Sequence, residues 1–80
     1  MSLASDVYTH FLLRGHEWRI DGVLREPTED EVSQTLDKMR ERLYDEPEHT
    51  MMELGGIVMI KRADHYDVFV RFGEVNGKDS

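Results

Sequence analysis

Residues 26–48, EPTEDEVSQTLDKMRERLYDEPE, contain the clearest structural signal in the chain. Within this stretch, residues 28–31 (TEDE) match a capping box. In that motif the Thr28 hydroxyl accepts a hydrogen bond from the Glu31 amide, and the Glu31 carboxylate accepts one from the Thr28 amide. Acidic residues in a first turn also suit the positive end of the helix dipole. The sequence therefore predicts that a helix begins here.

The residues after the capping box have the periodicity of an amphipathic helix. Apolar side chains recur at i, i+4, i+7 and i+11, which places them on one helical face. The helix is expected to end near Asp45, because the next residue precedes Pro47 and is biased away from the α region. The four residues of this apolar stripe are Val32, Leu36, Met39 and Leu43.

The same stretch carries nearly all of the net charge. It holds nine acidic and three basic residues, in a chain whose formal net charge is −7. The simplest interpretation is the solvated side of an amphipathic helix. An alternative is nucleic-acid mimicry, in which carboxylates occupy the basic groove of a nucleic-acid-binding protein. Lys38, Arg40 and Arg42 interrupt the acidic surface. The charge argues against direct binding of nucleic acid or of an anionic membrane.

Before the helix, the residue types favour strands. Residues 7–13, VYTHFLL, are rich in strand formers, and residues 16–20, HEWRI, alternate between apolar and polar. Gly15 can supply the positive φ of a tight turn, so the preferred prediction is a hairpin of these two segments. The alternative is a two-residue hairpin at Asp21-Gly22, which would pair residues 16–20 with residues 23–25.

After the helix, two more strands are predicted. Residues 51–61, MMELGGIVMIK, are expected to form one strand, with a bulge or bend at the paired glycines Gly55 and Gly56. Residues 62–65 are the turn. Residues 66–72, YDVFVRF, alternate cleanly and end at Gly73, and a polar tail follows.

The resulting order, ββαββ, predicts an α+β fold with two layers: a four-stranded, mostly antiparallel sheet with one helix on one face. Eighty residues predict a single domain over residues 1–80, with an ordered core of about residues 7–75.

One helix cannot cover both faces of such a sheet, so apolar surface should remain available to a partner. We predict an interaction surface on the uncovered face and a homodimer as the natural remedy for a thin core. The residues assigned to this surface are Trp18, Val58, Ile60, Phe69 and Arg71.

The residues that could carry chemistry form no recognised motif. His10 and His16 would approach each other across the first predicted hairpin, and His65 and Asp67 would share a strand face. The histidines fit neither the HExxH spacing nor a Cys/His zinc pattern. Asp67 and Glu53 have apolar neighbours, but a general acid also needs a raised pKa. We therefore predict no catalytic residue, no metal site and no cofactor, and hence no enzyme.

The compartment follows from the cysteine count and the N-terminal residues. The chain has no cysteine, which excludes disulfides and favours a cytoplasmic location. Its first residues lack the basic region and the apolar run of a signal peptide.

The segments EPTEDEV, which opens a helix, and GGIVMIKRADHYDVFVRFGE, which closes the chain as a hairpin, resemble the small acidic accessory proteins of actinobacterial phages. The resemblance is one of size, style and element order over residues 16–75. It implies a protein that binds, or interferes with, a host protein. It transfers no functional residue, because it contains no shared motif.

Taken together, the sequence favours a non-enzymatic protein-interaction module. The alternatives are an acidic nucleic-acid mimic and, third, a small metal-binding protein or hydrolase.

Overall fold

The structure, a computed structural model, describes residues 3–71. The chain forms two α-helices and five β-strands in this part. In chain order they are α1 (Leu3–Arg14), β1 (Trp18–Ile20), β2 (Val23–Arg25), α2 (Glu29–Leu43), β3 (Met51–Leu54), β4 (Ile57–Lys61) and β5 (Tyr66–Val70).

The fold is α+β, but the predicted ββαββ arrangement with one four-stranded sheet and one helix is wrong. The described residues form two helices and two separate antiparallel sheets, one with two strands (β1-β2) and one with three (β3-β4-β5). Three local errors produced the difference: residues 7–13 are helical, residues 23–25 form a strand, and Gly55-Gly56 is a turn between two strands.

Residues 7–13 belong to α1 because their apolar residues also match a helical period. Val7 and Phe11 lie four residues apart and are buried on one side of the helix. Leu13, which a strand would place on the same face as Phe11, is 77% exposed. The Phe11 ring packs against His16 and meets Trp18 edge-on, with ring centroids 4.7 and 5.5 Å apart. This burial overrides the weak strand preference of the segment.

Gly15 does adopt a positive φ (62°), but it ends a helix and does not join two strands. The Gly15 amide donates to the Leu12 carbonyl (3.3 Å), and the His16 amide donates to the Phe11 carbonyl (3.0 Å). This pair of hydrogen bonds is the Schellman motif, which satisfies carbonyls that the last turn leaves unpaired.

The alternative hairpin at Asp21-Gly22 is the one that forms. β1 and β2 pair antiparallel, with Trp18 opposite Arg25 and Ile20 opposite Val23. Asp21 and Gly22 both have positive φ (54° and 79°), as a type I′ turn requires. The Asp-Gly dipeptide was therefore the better local signal than the longer run of strand formers.

The predicted helix is confirmed as α2, and so is its capping box. The Thr28 amide donates to Glu31 Oε1 (2.9 Å), and the Glu31 amide donates to Thr28 Oγ1 (3.2 Å). The helix ends at Leu43, two residues before the predicted end. All four residues of the predicted stripe are at most 2% exposed: Val32, Leu36, Met39 and Leu43.

The C-terminal end of α2 is capped by a lysine from β4. Lys61 Nζ donates to the Leu43 carbonyl (3.2 Å) and to the Tyr44 carbonyl (2.6 Å). A cation at this end suits the helix dipole, so Lys61 offsets the acidic residues that follow the helix.

Residues 51–61 form a hairpin and not one bulged strand. Gly55 and Gly56 have φ of 62° and 89° and connect β3 to β4. The turn at residues 62–65 is confirmed, and the last strand ends at Val70. The Phe72 end of the predicted strand, Gly73 and the predicted tail lie outside the described residues.

The chain divides between Lys38 and Met39, within α2, into two units. The buried apolar residues of the first unit are Val7, Phe11, Val32 and Leu36. Those of the second unit are Met39, Leu43, Ile57, Val58 and Met59. Neither helix within residues 3–71 has the length and apolarity needed to cross a membrane.

Candidate interaction surface

The strand register sorts the side chains of the three-stranded sheet onto two faces. β4 is central, and alternate residues of a strand point to opposite faces. Ile57 and Met59, on one face, are fully buried and belong to the core of the second unit. Val58 and Ile60 point the other way. We call this second face the Phe69 face, and its residues are Met51, Glu53, Val58, Ile60, Asp67, Phe69 and Arg71.

Two rows of directly opposed residues build the Phe69 face. Glu53, Val58 and Phe69 form one row across β3, β4 and β5, and Met51, Ile60 and Asp67 form the next. Side chains directly opposite each other in neighbouring strands are in contact distance. The apolar members therefore run obliquely across the sheet, from Met51 on one edge strand to Phe69 on the other.

The apolar members differ sharply in exposure. Phe69 is 54% exposed and Met51 is 59% exposed, whereas Val58 is 5% exposed. Val58 lies on the central strand and has a neighbour on each side, but Phe69 and Met51 lie on edge strands. Large apolar side chains that are more than half exposed are candidates for contact with another protein.

The charges of the Phe69 face are balanced. Arg71 contacts Glu53 (Nη1 to Oε1, 3.4 Å), and both side chains are about half exposed. Arg62, from the turn, contacts Asp67 (Nε to Oδ2, 2.7 Å). The Arg71 amide also donates to the Gly56 carbonyl (2.7 Å), which holds Arg71 beside the sheet after β5 has ended. The face therefore combines apolar side chains with two ion pairs, each of which joins an arginine to a carboxylate.

A cluster of paired charges adjoins the Phe69 face at the 62–65 turn. His65 Nδ1 lies 2.6 Å from Asp64 Oδ1, and His65 Nε2 lies 3.2 Å from Asp67 Oδ1. The hydrogen bond with Asp64, and more weakly that with Asp67, raises the pKa of His65 above 6.5. Arg62 also donates to Nδ1 of His49 at 2.9 Å. His65 therefore lies between two carboxylates that favour its protonated form.

The pKa of Asp67 shifts in the direction opposite to that of a general acid. The Arg62 guanidinium, followed by His65, lowers the pKa of Asp67. A carboxylic acid that protonates a substrate at neutral pH needs a raised pKa. The lowered pKa of Asp67 therefore does not fit the role of a general acid.

The histidines are otherwise dispersed. His10 is exposed on α1, and His16 packs on Phe11, so the predicted approach of these two across a hairpin is wrong because residues 7–13 are helical. Over residues 3–71, the histidine, aspartate and glutamate side chains form no group of three or more with the geometry of a metal site.

Of the five residues assigned to the interaction surface from the sequence, four share one face of the sheet and one does not. Val58, Ile60, Phe69 and Arg71 belong to the Phe69 face, although Val58 is buried within it. Trp18 belongs to the first unit, where its ring meets Phe11 and lines an open cavity of about 280 Å³ beside Glu31 and Lys38.

Sequence reasoning missed Met51, the most exposed apolar residue of the Phe69 face. It treated Gly55-Gly56 as a bulge within one strand, so it never placed Met51 opposite Ile60. The paired glycines were themselves the available signal, because two residues of this type between strand-like runs indicate a hairpin turn.

Comparison with protein-family models, with curated proteins and with solved structures finds no match.

Proposed function

We propose that the chain is a non-enzymatic protein-interaction module that binds its partner through the Phe69 face. The observation that carries the proposal is the apolar diagonal from Met51 to Phe69, which is more than half exposed at both ends and is bordered by the Glu53–Arg71 ion pair. An apolar centre with a charged border is the usual anatomy of a protein–protein interface. Aromatic residues such as Phe69 contribute a large share of the contact area in these interfaces.

The charge of this face favours a protein partner with a neutral, apolar surface. A basic partner would gain little here, because each carboxylate of the face already has an arginine beside it. The resemblance to phage accessory proteins favours a host protein as that partner. The natural source in which to look for it is an actinobacterial lysate.

Affinity capture with two matched variants tests the proposal. Phe69→Asp places a charge at one end of the apolar diagonal, and Leu24→Asp places one at an equally exposed strand residue in the other sheet (54% and 55% exposed). The tagged chain is used at nanomolar concentration, with bound proteins identified by mass spectrometry. We expect a specific partner to be captured by the wild type and by Leu24→Asp but lost with Phe69→Asp.

Two results would count against the proposal: a partner that Phe69→Asp retains, or a partner that Leu24→Asp loses equally. Circular dichroism of both variants establishes that they keep the fold. Both side chains are more than half exposed, so each substitution is expected to lower the free energy of unfolding by about 1 kcal/mol, the span of strand propensities.

A further inference from the structure

We propose that the Phe69 face is self-complementary and that a second copy of this chain docks on it. The inference rests on the proposed function, because it takes the Phe69 face as the binding surface, and it names a second copy as the occupant of that face when no host protein is bound. It starts from a contrast in charge. The whole chain carries −7, whereas the four charged side chains at the face, Glu53, Asp67, Arg62 and Arg71, pair with one another.

This contrast limits where two copies can meet. Two molecules of like charge repel each other over most of their surfaces, and like charges placed opposite each other cost several kcal/mol by general estimates. A neutral apolar face avoids that cost. The Phe69 face combines neutrality with two apolar residues that are more than half exposed, so it can bring two acidic chains together.

The Glu53–Arg71 pair adds the complementarity that a symmetric dimer requires. In a two-fold dimer the same patch is used by both copies, so residue i contacts residue j and j contacts i. A two-fold axis that passes beside this pair places each Glu53 against the partner's Arg71. The two intramolecular ion pairs then become a network of four alternating charges, and the Phe69 and Met51 side chains of both copies are removed from water.

Charge reversal tests this arrangement directly. In Glu53→Arg, the face presents only arginines at this position, so two identical copies repel. In Arg71→Glu, the face presents only glutamates at this position, so two identical copies again repel. An equimolar mixture of the two variants restores opposite charges across the interface in a heterodimer. Restoration by mixing is the readout that a merely misfolded variant cannot produce.

The measurement is light scattering on a sizing column at micromolar concentration. The wild type and Leu24→Asp are expected at twice the monomer mass of 9.4 kDa, and each charge-reversal variant at the monomer mass. The mixture is expected to return to the dimer mass. Phe69→Asp should weaken the dimer about 100-fold or more, since buried aromatic contacts dominate interface energies and each dimer loses two.

The inference is overturned by a monomeric wild type, by a dimer that Phe69→Asp leaves intact, or by a mixture that stays monomeric. These outcomes do not decide the proposed function. If the wild type is monomeric while lysate capture still depends on Phe69, the interaction module stands and the second copy is not its occupant.

Discussion

At the scale of single residues, the neighbours of His65 alter its titration. Its two ring nitrogens face Asp64 and Asp67, and its pKa is raised. A raised pKa in the folded state contributes stability that is complete below about pH 6.5 and is lost as pH rises through the folded-state pKa. His65 therefore stabilises the 62–65 turn more at mildly acidic pH than at alkaline pH.

Replacing Asp64 with Asn should lower the pKa of His65 toward 6.5, because the hydrogen bond with Asp64 is the largest cause of the shift. The measurement is an NMR titration of the imidazole protons. Glu48→Gln is the control, since Glu48 contacts His49 and not His65 (3.8 Å). An unchanged His65 titration in Asp64→Asn would show that Asp64 does not hold this ring.

At the scale of elements, the N-terminus of α2 depends on a carboxylate with a strongly lowered pKa. Arg25 binds Glu31 through two hydrogen bonds (3.0 and 2.8 Å), and the Thr28 amide adds a third. Together, and with Arg25 as the largest cause, they lower the pKa of Glu31 from 4.5 to about 2. A lowered pKa means that the stabilisation is present above pH 4.5 and is lost as pH falls toward 2.

Urea unfolding at neutral pH and near pH 3 should therefore separate two variants of the first turn. Glu31→Gln should be less stable than the wild type at neutral pH and should lose less stability on acidification. Glu29→Gln, one residue into the same turn, should keep the acid sensitivity of the wild type. Equal acid sensitivity of Glu31→Gln and the wild type would contradict this assignment. Thr28→Ala, which removes the hydroxyl of the cap, should cost about 1 kcal/mol at neutral pH.

The burial of Phe11 decides that α1 is a helix, and two alanine substitutions test it. Phe11→Ala should lower the free energy of unfolding by about 3–5 kcal/mol, because it leaves a cavity beside Trp18. Leu13→Ala should change it by about 0.5 kcal/mol or less, because Leu13 is exposed. Chemical denaturation measures both. Similar decreases in the free energy of unfolding at the two positions would mean that residues 11 and 13 lie on the same face of a strand. That result would refute the helix.

At the scale of the whole molecule, the charge of −7 opposes self-association and the Phe69 face favours it. Salt weakens the charge repulsion between two copies more than it weakens the apolar contact, because the repulsion acts at long range and the apolar contact does not. We expect the dimer to tighten when NaCl is raised from about 0.02 to about 0.2 M, as the screening length falls below about 10 Å. Sedimentation over this range measures it. A dimer that weakens with salt would instead depend mainly on ion pairs.

The sequence alone determined the features that arise from neighbours along the chain. The capping box and apolar stripe of α2 depend on spacings of three and four residues, and the strand β5 on a spacing of two. The Asp21-Gly22 hairpin also arises from neighbours along the chain, because its turn chemistry is a stronger local signal than the length of the strand-like segment before it. Four of the five residues assigned to the interaction surface share the Phe69 face, because strand alternation can be seen without knowing the partner strand.

Tertiary structure decided what depends on contacts between distant residues. VYTHFLL satisfies both a helical and a strand period, and the burial of Val7 and Phe11 selects the helix. Because a helix at residues 3–14 cannot pair with β1, the partner of β1 is β2, and these two strands form a sheet of their own. The exposure of Phe69 beside a buried Val58 follows from strand order, which places one at an edge and the other at the centre. Local periodicity fixes which face a side chain takes, whereas only the assembled sheet fixes whether solvent reaches it.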